Sequence, residues 1–421
     1  MNRTVILVES GNRGAEIPSF RKLGFNVIFL TSGVIPNDQE NIDQANQIIF
    51  DRGIIQYERL AEIISELHIL HTIETICSTS DFFIISVCQL CEHYGYQSLN
   101  SMIASIFHYK NKFREKQKEL QYNVPEFYAF EDLTSAVQFY NNTKKKEWIF
   151  KPVNGNESVA VKLIQSEQEL RDCYKQLNYL SRYTGSLLRQ SFLLEEYIEG
   201  NIYSCEFMVS GGQLQVFGVT NRLMSQLPYF VEMGYTFPIQ GDVAQLVIEE
   251  TKRFVKDFQY NFGPCHIEYI VSPDNKIYIL EVNPRLVGPP NPWMIDRALG
   301  ISVFDIICSL YVTGGIPEPA SYGAKYSVCL EVTSPISGYL NRLHIEGSNL
   351  DRNDVHVILL KEKEEYINCA TSNTDILARI LTAADTMQAA QKIAKEIYDN
   401  IRLEISVKPR ALSAQNVKGS I

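Results

Sequence analysis

Short runs of consecutive apolar residues open the chain, and they alternate with stretches whose apolar residues recur at helical spacing. "TVILVES", "NVIFLT" and "TICSTS" read as buried strands, whereas "YERLAEIISELHIL" and "FFIISVCQLCEHYG" read as helices packed by one face. Such alternation predicts a parallel α/β sheet, with ligands expected beyond the C-terminal ends of its strands. Two loops fall there, "ESGNRGAE" and "STSD". Gly11 and Gly14 serve a turn whether or not it binds anything, and Asp81 can cap a helix as readily as contact a ligand.

The pattern then changes from α/β to α+β. A basic helix, "YKNKFREKQKEL", reads most simply as a solvated face. "EWIFKPVNGNESVAVKLI" is strand, loop and strand, with Lys151 ending the first strand. Gly155, Ser158 and Ala160 keep that loop small, so its backbone N–H groups can approach an anion closely. "SFLLEEYIEGNIYSCEFMV" gives two further strands. Towards the C-terminus, "YGAKYSVCLEV", "VHVILLKE" and "EEYINCAT" read as strands of a smaller unit. A helix over "DTMQAAQKIAKEIYDNI" closes that unit, with Met387, Ala390, Ala394, Ile397 and Ile401 on one face. The tail after Val407 is polar and is expected to be loose.

Candidate chemistry concentrates in "GPCHIEYIVSPDNKIYILEVNPR", two strands joined by a Ser-Pro-Asp-Asn turn. Strict alternation puts Ile277, Ile279 and Glu281 on one face, with Asn283 and Arg285 continuing that period. Pairing Val271 with Lys276 sets Glu268 opposite Ile279 and makes Glu281 its diagonal neighbour. Two carboxylates so close repel unless a cation lies between them. With an amide beside them they form a hard oxygen donor set, suited to Mg²⁺ and, through it, to phosphate.

Bulk properties narrow the field without naming an activity. The 421 residues suffice for two or three domains of roughly 150 residues each. A content of 45% hydrophobic and 21% charged residues is ordinary for a soluble globular protein. The net charge of −10 argues against nucleic acid or an anionic membrane as the main partner. No apolar run approaches the ~20 residues of a membrane span. The apolar start "MNRTVILVES" stops at Glu9, too early for a signal peptide. Nine cysteines without framework spacing suit a reducing cytoplasm, and Cys88, Cys91 and His93 lack the second ligand pair of a zinc site.

The order of these parts resembles the ATP-grasp superfamily of carboxylate–amine ligases over essentially the whole chain. A basic helix precedes the strand lysine and small-residue loop "KPVNGNES", then come "EEYIEG", Glu268 on a strand and "EVNPR". Within the superfamily the chain looks most like the bacterial L-amino-acid ligases that make dipeptides. The resemblance implies an N-terminal α/β domain (1–109), a lid subdomain (110–197), a catalytic core (198–316) and a C-terminal α+β subdomain (317–421). It implies that Lys112 and Lys151 hold the inner phosphates of ATP beneath a lid at Gly155–Ser158. Glu195 would accept from the adenine amino group, with the backbone from Glu196 to Ile198 as the adenine hinge. Glu268, Glu281 and Asn283 would hold one or two Mg²⁺ ions, with Mn²⁺ able to substitute, and Arg285 would contact the transferred phosphoryl group.

Two departures from the family pattern stand out. Ile202 occupies the place of a glutamate that usually holds the ribose hydroxyls, with Glu206 the alternative contact. Pro289 stands where dipeptide-forming relatives can carry a tryptophan that shapes the substrate pocket. Glu232 and Tyr235 match a substrate-side segment in which a histidine can take the tyrosine's place. The implied reaction converts an amino-acid carboxylate to an acyl phosphate, which an amine such as a second amino acid attacks, releasing ADP and phosphate. Asp81 and Glu232 both remain open as general base. The partners implied are small amino-acid substrates, with no nucleic acid, no membrane and a homodimer as the expected assembly. A carboxylase-type or other amide-forming enzyme acting on a larger acid, and a non-catalytic nucleotide-binding regulator, are the competing readings.

Overall fold

The computed structural model describes residues 3–155, 158–184, 187–317, 323–346 and 352–407. The tail after Val407 and the centre of the "NGNES" loop, Asn156 and Glu157, lie outside the described residues. Strands β1 (Thr4–Val8), β2 (Asn26–Thr31), β3 (Gln47–Phe50) and β4 (Ile73–Cys77) form a parallel sheet in the order β3-β2-β1-β4. The helices Tyr57–Leu70 and Ile84–Tyr94 pack on one face of it. Glu16–Lys22 and, from far along the chain, Val303–Thr313 pack on the other. Burial on both faces is why β1 is apolar at nearly every position. Cys88 and Cys91 are buried thiols packed in apolar cores.

Strands β5 (Phe127–Phe130), β6 (Trp148–Pro152), β7 (Lys162–Ile164) and β8 (Phe192–Glu195) make an antiparallel sheet in the order β5-β8-β6-β7. Trp148, Phe150, Phe192 and Leu194 form its core beneath the helices Leu133–Asn142 and Glu167–Tyr183.

The remaining strands are β9 (Asn201–Ser210), β10 (Gln213–Met224), β11 (Glu232–Phe237), β12 (Gly263–Val271), β13 (Ile277–Asn283), β14 (Tyr326–Val332), β15 (Gly338–Ile345), β16 (Val355–Leu359), β17 (Tyr366–Ile367), β18 (Ala378–Ala384) and β19 (Ile401–Ser406). Eight of them form one sheet in the order β13-β12-β9-β10-β11-β14-β18-β16, and β17-β15-β19 form another. The C-terminal strands expected to stand as a smaller unit thus split. β14 and β16, with β18, extend the large sheet, because β14 finds a partner in β11 across four residue pairs. The segment around Glu232 is a strand of this sheet rather than a packed loop.

A cavity of about 1340 Å³ is bounded by all three regions. Its walls come from the C-terminal loops of the parallel sheet, the inner side of the β5–β8 sheet and one face of the large sheet.

Candidate active site

The β12–β13 hairpin is the floor of this cavity, and its register differs from a simple alternation. Val271 pairs with Ile277 and Tyr269 with Ile279, after which the register shifts and Glu268 stands directly opposite Glu281. Leu280 is the extra residue, a β-bulge that exchanges the faces of everything beyond it. Ile277 and Ile279 point into the apolar core, and Val282 returns to that core past the bulge. Glu281 and Asn283 consequently share the cavity face with Tyr278, not the core face with Ile279. The bulge is held from outside the hairpin. Arg114 donates to the carbonyls of Ile279 (3.1 Å) and Leu280 (2.9 Å), and Gln117 to that of Ile279 (3.2 Å).

Cations already lean on both carboxylates. Lys110 Nζ lies 3.3 Å from Glu281, and Arg222 Nη1 lies 3.0 Å from Glu268. Burial alone would raise the Glu268 carboxyl, but Arg222 and His266 reverse this and hold it well below the usual carboxylate range. His266, opposite Asn283, bridges Glu206 through Nδ1 (3.0 Å) and Glu268 through Nε2 (3.2 Å). Two carboxylates facing each other across a strand pair, with an amide beside them, fit a hard divalent cation such as Mg²⁺. Glu268, Glu281 and Asn283 are the residues that would hold it.

The opposite wall is sealed. Lys151 on β6 approaches Glu195 on β8 at 2.5 Å, and Arg114 grips the same carboxylate through Nε (2.9 Å) and Nη2 (3.3 Å). All three side chains are buried. Burial works against the charge on Glu195, yet Arg114 and Lys151 hold its carboxyl at about 2. Burial also lowers the Lys151 ammonium, with Glu195 opposing.

Two expected ligand contacts have other partners on this wall. The Glu195 carboxylate is taken up by Lys151 and Arg114, so it is not a free acceptor facing a ligand. Lys112 turns away from the cavity to Ser105 (3.1 Å) and the Tyr109 ring, whereas Lys110 enters it. Two positions on a helix lie nearly opposite in direction, so only one of these lysines can face inward. Nor is the helix Lys110–Glu119 simply solvated, since Phe113, Arg114 and Gln117 are buried.

Gly155 and Ser158 line the cavity with φ of 150° and 53°, and Lys110 donates to the Gly155 carbonyl at 3.2 Å. Such left-handed backbone is open to glycine without strain. Glu196 and Ile198 line it too, Glu196 paired with Lys145 at 2.8 Å. Ile202 faces the cavity, while Glu206 is buried among Ser204, Thr220 and His266 and does not line it.

The third wall carries the substrate-side candidates. Arg285 forks onto Asp81, Nε to Oδ1 at 2.6 Å and Nη2 to Oδ2 at 2.5 Å, joining the floor to the parallel domain. Glu232 is saturated: Arg222 pairs with one oxygen, while Tyr235 and Asn373 each donate to the other at 2.7 Å. Pro289 lines the same side. Neither Asp81 nor Glu232 is a free carboxylate, so the geometry leaves the choice of general base between them open.

Lys110, Arg114, Arg222, Asn373 and Arg379 are cavity residues that the sequence reading missed. For the first two a signal existed: Lys110, Phe113, Arg114 and Gln117 form one helical face. Eight basic and six acidic side chains line the cavity of a chain whose net charge is −10, so anions are favoured here against the charge of the whole.

Residues 144–290 match the family model of the ATP-grasp domain. Uncharacterized protein y4rH of Sinorhizobium fredii (strain NBRC 101917 / NGR234) is 22% identical over 316 residues, 72% of this chain and 62% of that one. The chain therefore spans less than two thirds of that relative's length. L-amino acid ligase from Bacillus licheniformis is structurally similar with a TM-score of 0.81, at 16% identity, over 96% of this chain and 99% of that chain. The biotin carboxylase domain of Hydrogenobacter thermophilus 2-oxoglutarate carboxylase, solved with MgADP and bicarbonate, gives 0.66 at 15% identity, over 95% and 90%. These likenesses establish the ATP-grasp fold: an N-terminal parallel α/β sheet followed by antiparallel sheets around the cavity.

Proposed function

We propose that this chain, an ATP-grasp fold with an ATP-grasp domain over residues 144–290, is an ATP-dependent ligase joining an amino-acid carboxylate to an amine. The finer reading is dipeptide formation from two L-amino acids through an acyl phosphate, with release of ADP and phosphate. One observation carries it: Glu268 and Glu281 oppose each other on the face of a cavity that Lys110, Lys151 and Arg285 also line.

A carboxylate is a poor electrophile, because amine attack on it must expel an oxide. Phosphorylation turns that oxide into a phosphate leaving group. Lys110 and Lys151 are the cations for the inner phosphates, and Gly155 and Ser158 line the same cavity. Mg²⁺, when held by Glu268, Glu281 and Asn283, would neutralise phosphate charge. Arg285, fixed in place by Asp81, presents its guanidinium where two anions must approach each other. Glu196, Ile198 and Ile202 supply the hinge and the apolar contacts for the nucleoside. No protein nucleophile is required.

The test is phosphate release from ATP across pairs of L-amino acids, with nucleotide and amide products identified. ADP is expected in step with a dipeptide, and hydroxylamine should trap the first amino acid as a hydroxamate without the second. AMP as the nucleotide product would overturn the reading. ADP formed only with larger acids or bicarbonate would keep the ligase fold's chemistry and reject dipeptide synthesis.

A further inference from the structure

Away from the floor, the cavity ends in a corner built by the C-terminal strands. Arg379 on β18 lies there with Lys361, Asn373, Thr374 and Tyr235. Its partner across the sheet is Glu331 on β14, fully buried, which accepts from Arg379 Nε with both oxygens at 3.0 and 3.3 Å. Burial pushes the Glu331 carboxyl up to about 7, with Arg379 opposing.

The way the guanidinium is used sets Arg379 apart. Arg114, Arg222 and Arg285 spend their terminal nitrogens on carboxylates, carbonyls or His266. Among the described residues, both terminal nitrogens of Arg379 lack a protein partner, although its side chain is only 16% exposed. A guanidinium fixed by Nε and open at its other edge presents two parallel N–H donors, the shape that matches a carboxylate. In the same cavity, Tyr235 and Asn373 both donate to Glu232, whose charge Arg222 offsets.

We propose that Arg379 is the receptor for the carboxylate of the amine-bearing substrate, an α-amino acid. The proposal rests on the ligase reading above and adds what selects the attacking amine: a negative charge beside it. Simple amines and amino-acid amides, lacking that charge, would be poor acceptors.

Titrations on the full chain, loaded with Mg²⁺ and a non-hydrolysable ATP analogue, test this. Each protein L-amino acid is titrated, and each one that binds is repeated as its carboxamide. Arg379→Met should weaken an amino acid tenfold or more and its carboxamide less than twofold. Arg379→Lys, which keeps charge but not the fork, should fall between and guards against a folding defect. Equal weakening of both ligands, or none, would reduce Arg379 to a structural partner of Glu331 and overturn the proposal, as would failure of any amino acid to bind the wild type. Hydroxamate formation by the first substrate alone separates the two readings. If the wild type makes none, the ligase reading falls while the titrations still judge Arg379.

Discussion

The floor and the sealed wall of the cavity hold their charges in opposite ways. On the floor, Glu268 and Glu281 are about one-fifth and one-quarter exposed, and Glu281 meets its lysine across 3.3 Å. On the wall, Glu195, Lys151 and Arg114 are almost fully buried, and the Glu195 carboxylate is held by both cations at once. An ion pair of the first kind can exchange one cation for another, whereas one of the second kind cannot be opened without stranding a charge. The carboxylates offered to a ligand are those whose present partners are replaceable, and the wall's carboxylate belongs to the scaffold.

Breaking the wall should produce the largest effect. Arg114→Met leaves Glu195 short of a partner and frees the bulge carbonyls, so stability should drop by about 3–5 kcal/mol in denaturant titrations. The wall also sets a pH signature. Glu195 is held at about 2 against an ordinary 4.5, so its contribution is complete above pH 4.5 and lost as pH falls through 2. In Arg114→Met the carboxyl rises and the acid-unfolding midpoint should move to higher pH, as followed by circular dichroism.

The floor should respond in activity and not in stability. Glu281→Gln should lower ATP-dependent turnover by about two to three orders of magnitude, with an unchanged unfolding curve. Near-normal turnover at saturating Mg²⁺ would remove Glu281 from the site.

The two helix lysines sharpen the contrast. Lys110→Met should raise KM for ATP roughly tenfold to a hundredfold, the scale of one charge-assisted hydrogen bond. Lys112→Met should leave it within about twofold, since Lys112 lies outside the cavity. Reversed effects would reinstate Lys112.

The smallest effect is expected at Ile202. An apolar side chain there, with Glu206 buried elsewhere, leaves discrimination between ATP and 2′-deoxy-ATP at about 1 kcal/mol or less. Comparing KM for the two nucleotides checks it, and a strong preference would point to a ribose contact from another residue.

Local pattern carried much of this. The parallel sheet, the hairpin with its acidic residues and Lys151 at a strand end are all periodicity written into neighbouring residues. What escaped was set by distant partners. The bulge at Leu280 is stabilised by Arg114 and Gln117, more than 160 positions away, and nothing within "KIYILEVNPR" specifies it. Glu195 was legible as a strand carboxylate, but its direction depended on Arg114. Arg379 carries no local motif at all; only the pairing of β14 with β18 brings it beside Glu331.

The bulge also makes length a stricter requirement than identity in this hairpin. Exchanging Tyr278 or Leu280 for another residue alters one contact. Adding or removing one residue within the paired strand from Ile277 to Leu280 changes the parity of every position after it, and Glu281 and Asn283 would trade places with Val282. Sequences that share this floor are free to drift in composition along the strand, but insertions and deletions should fall outside it.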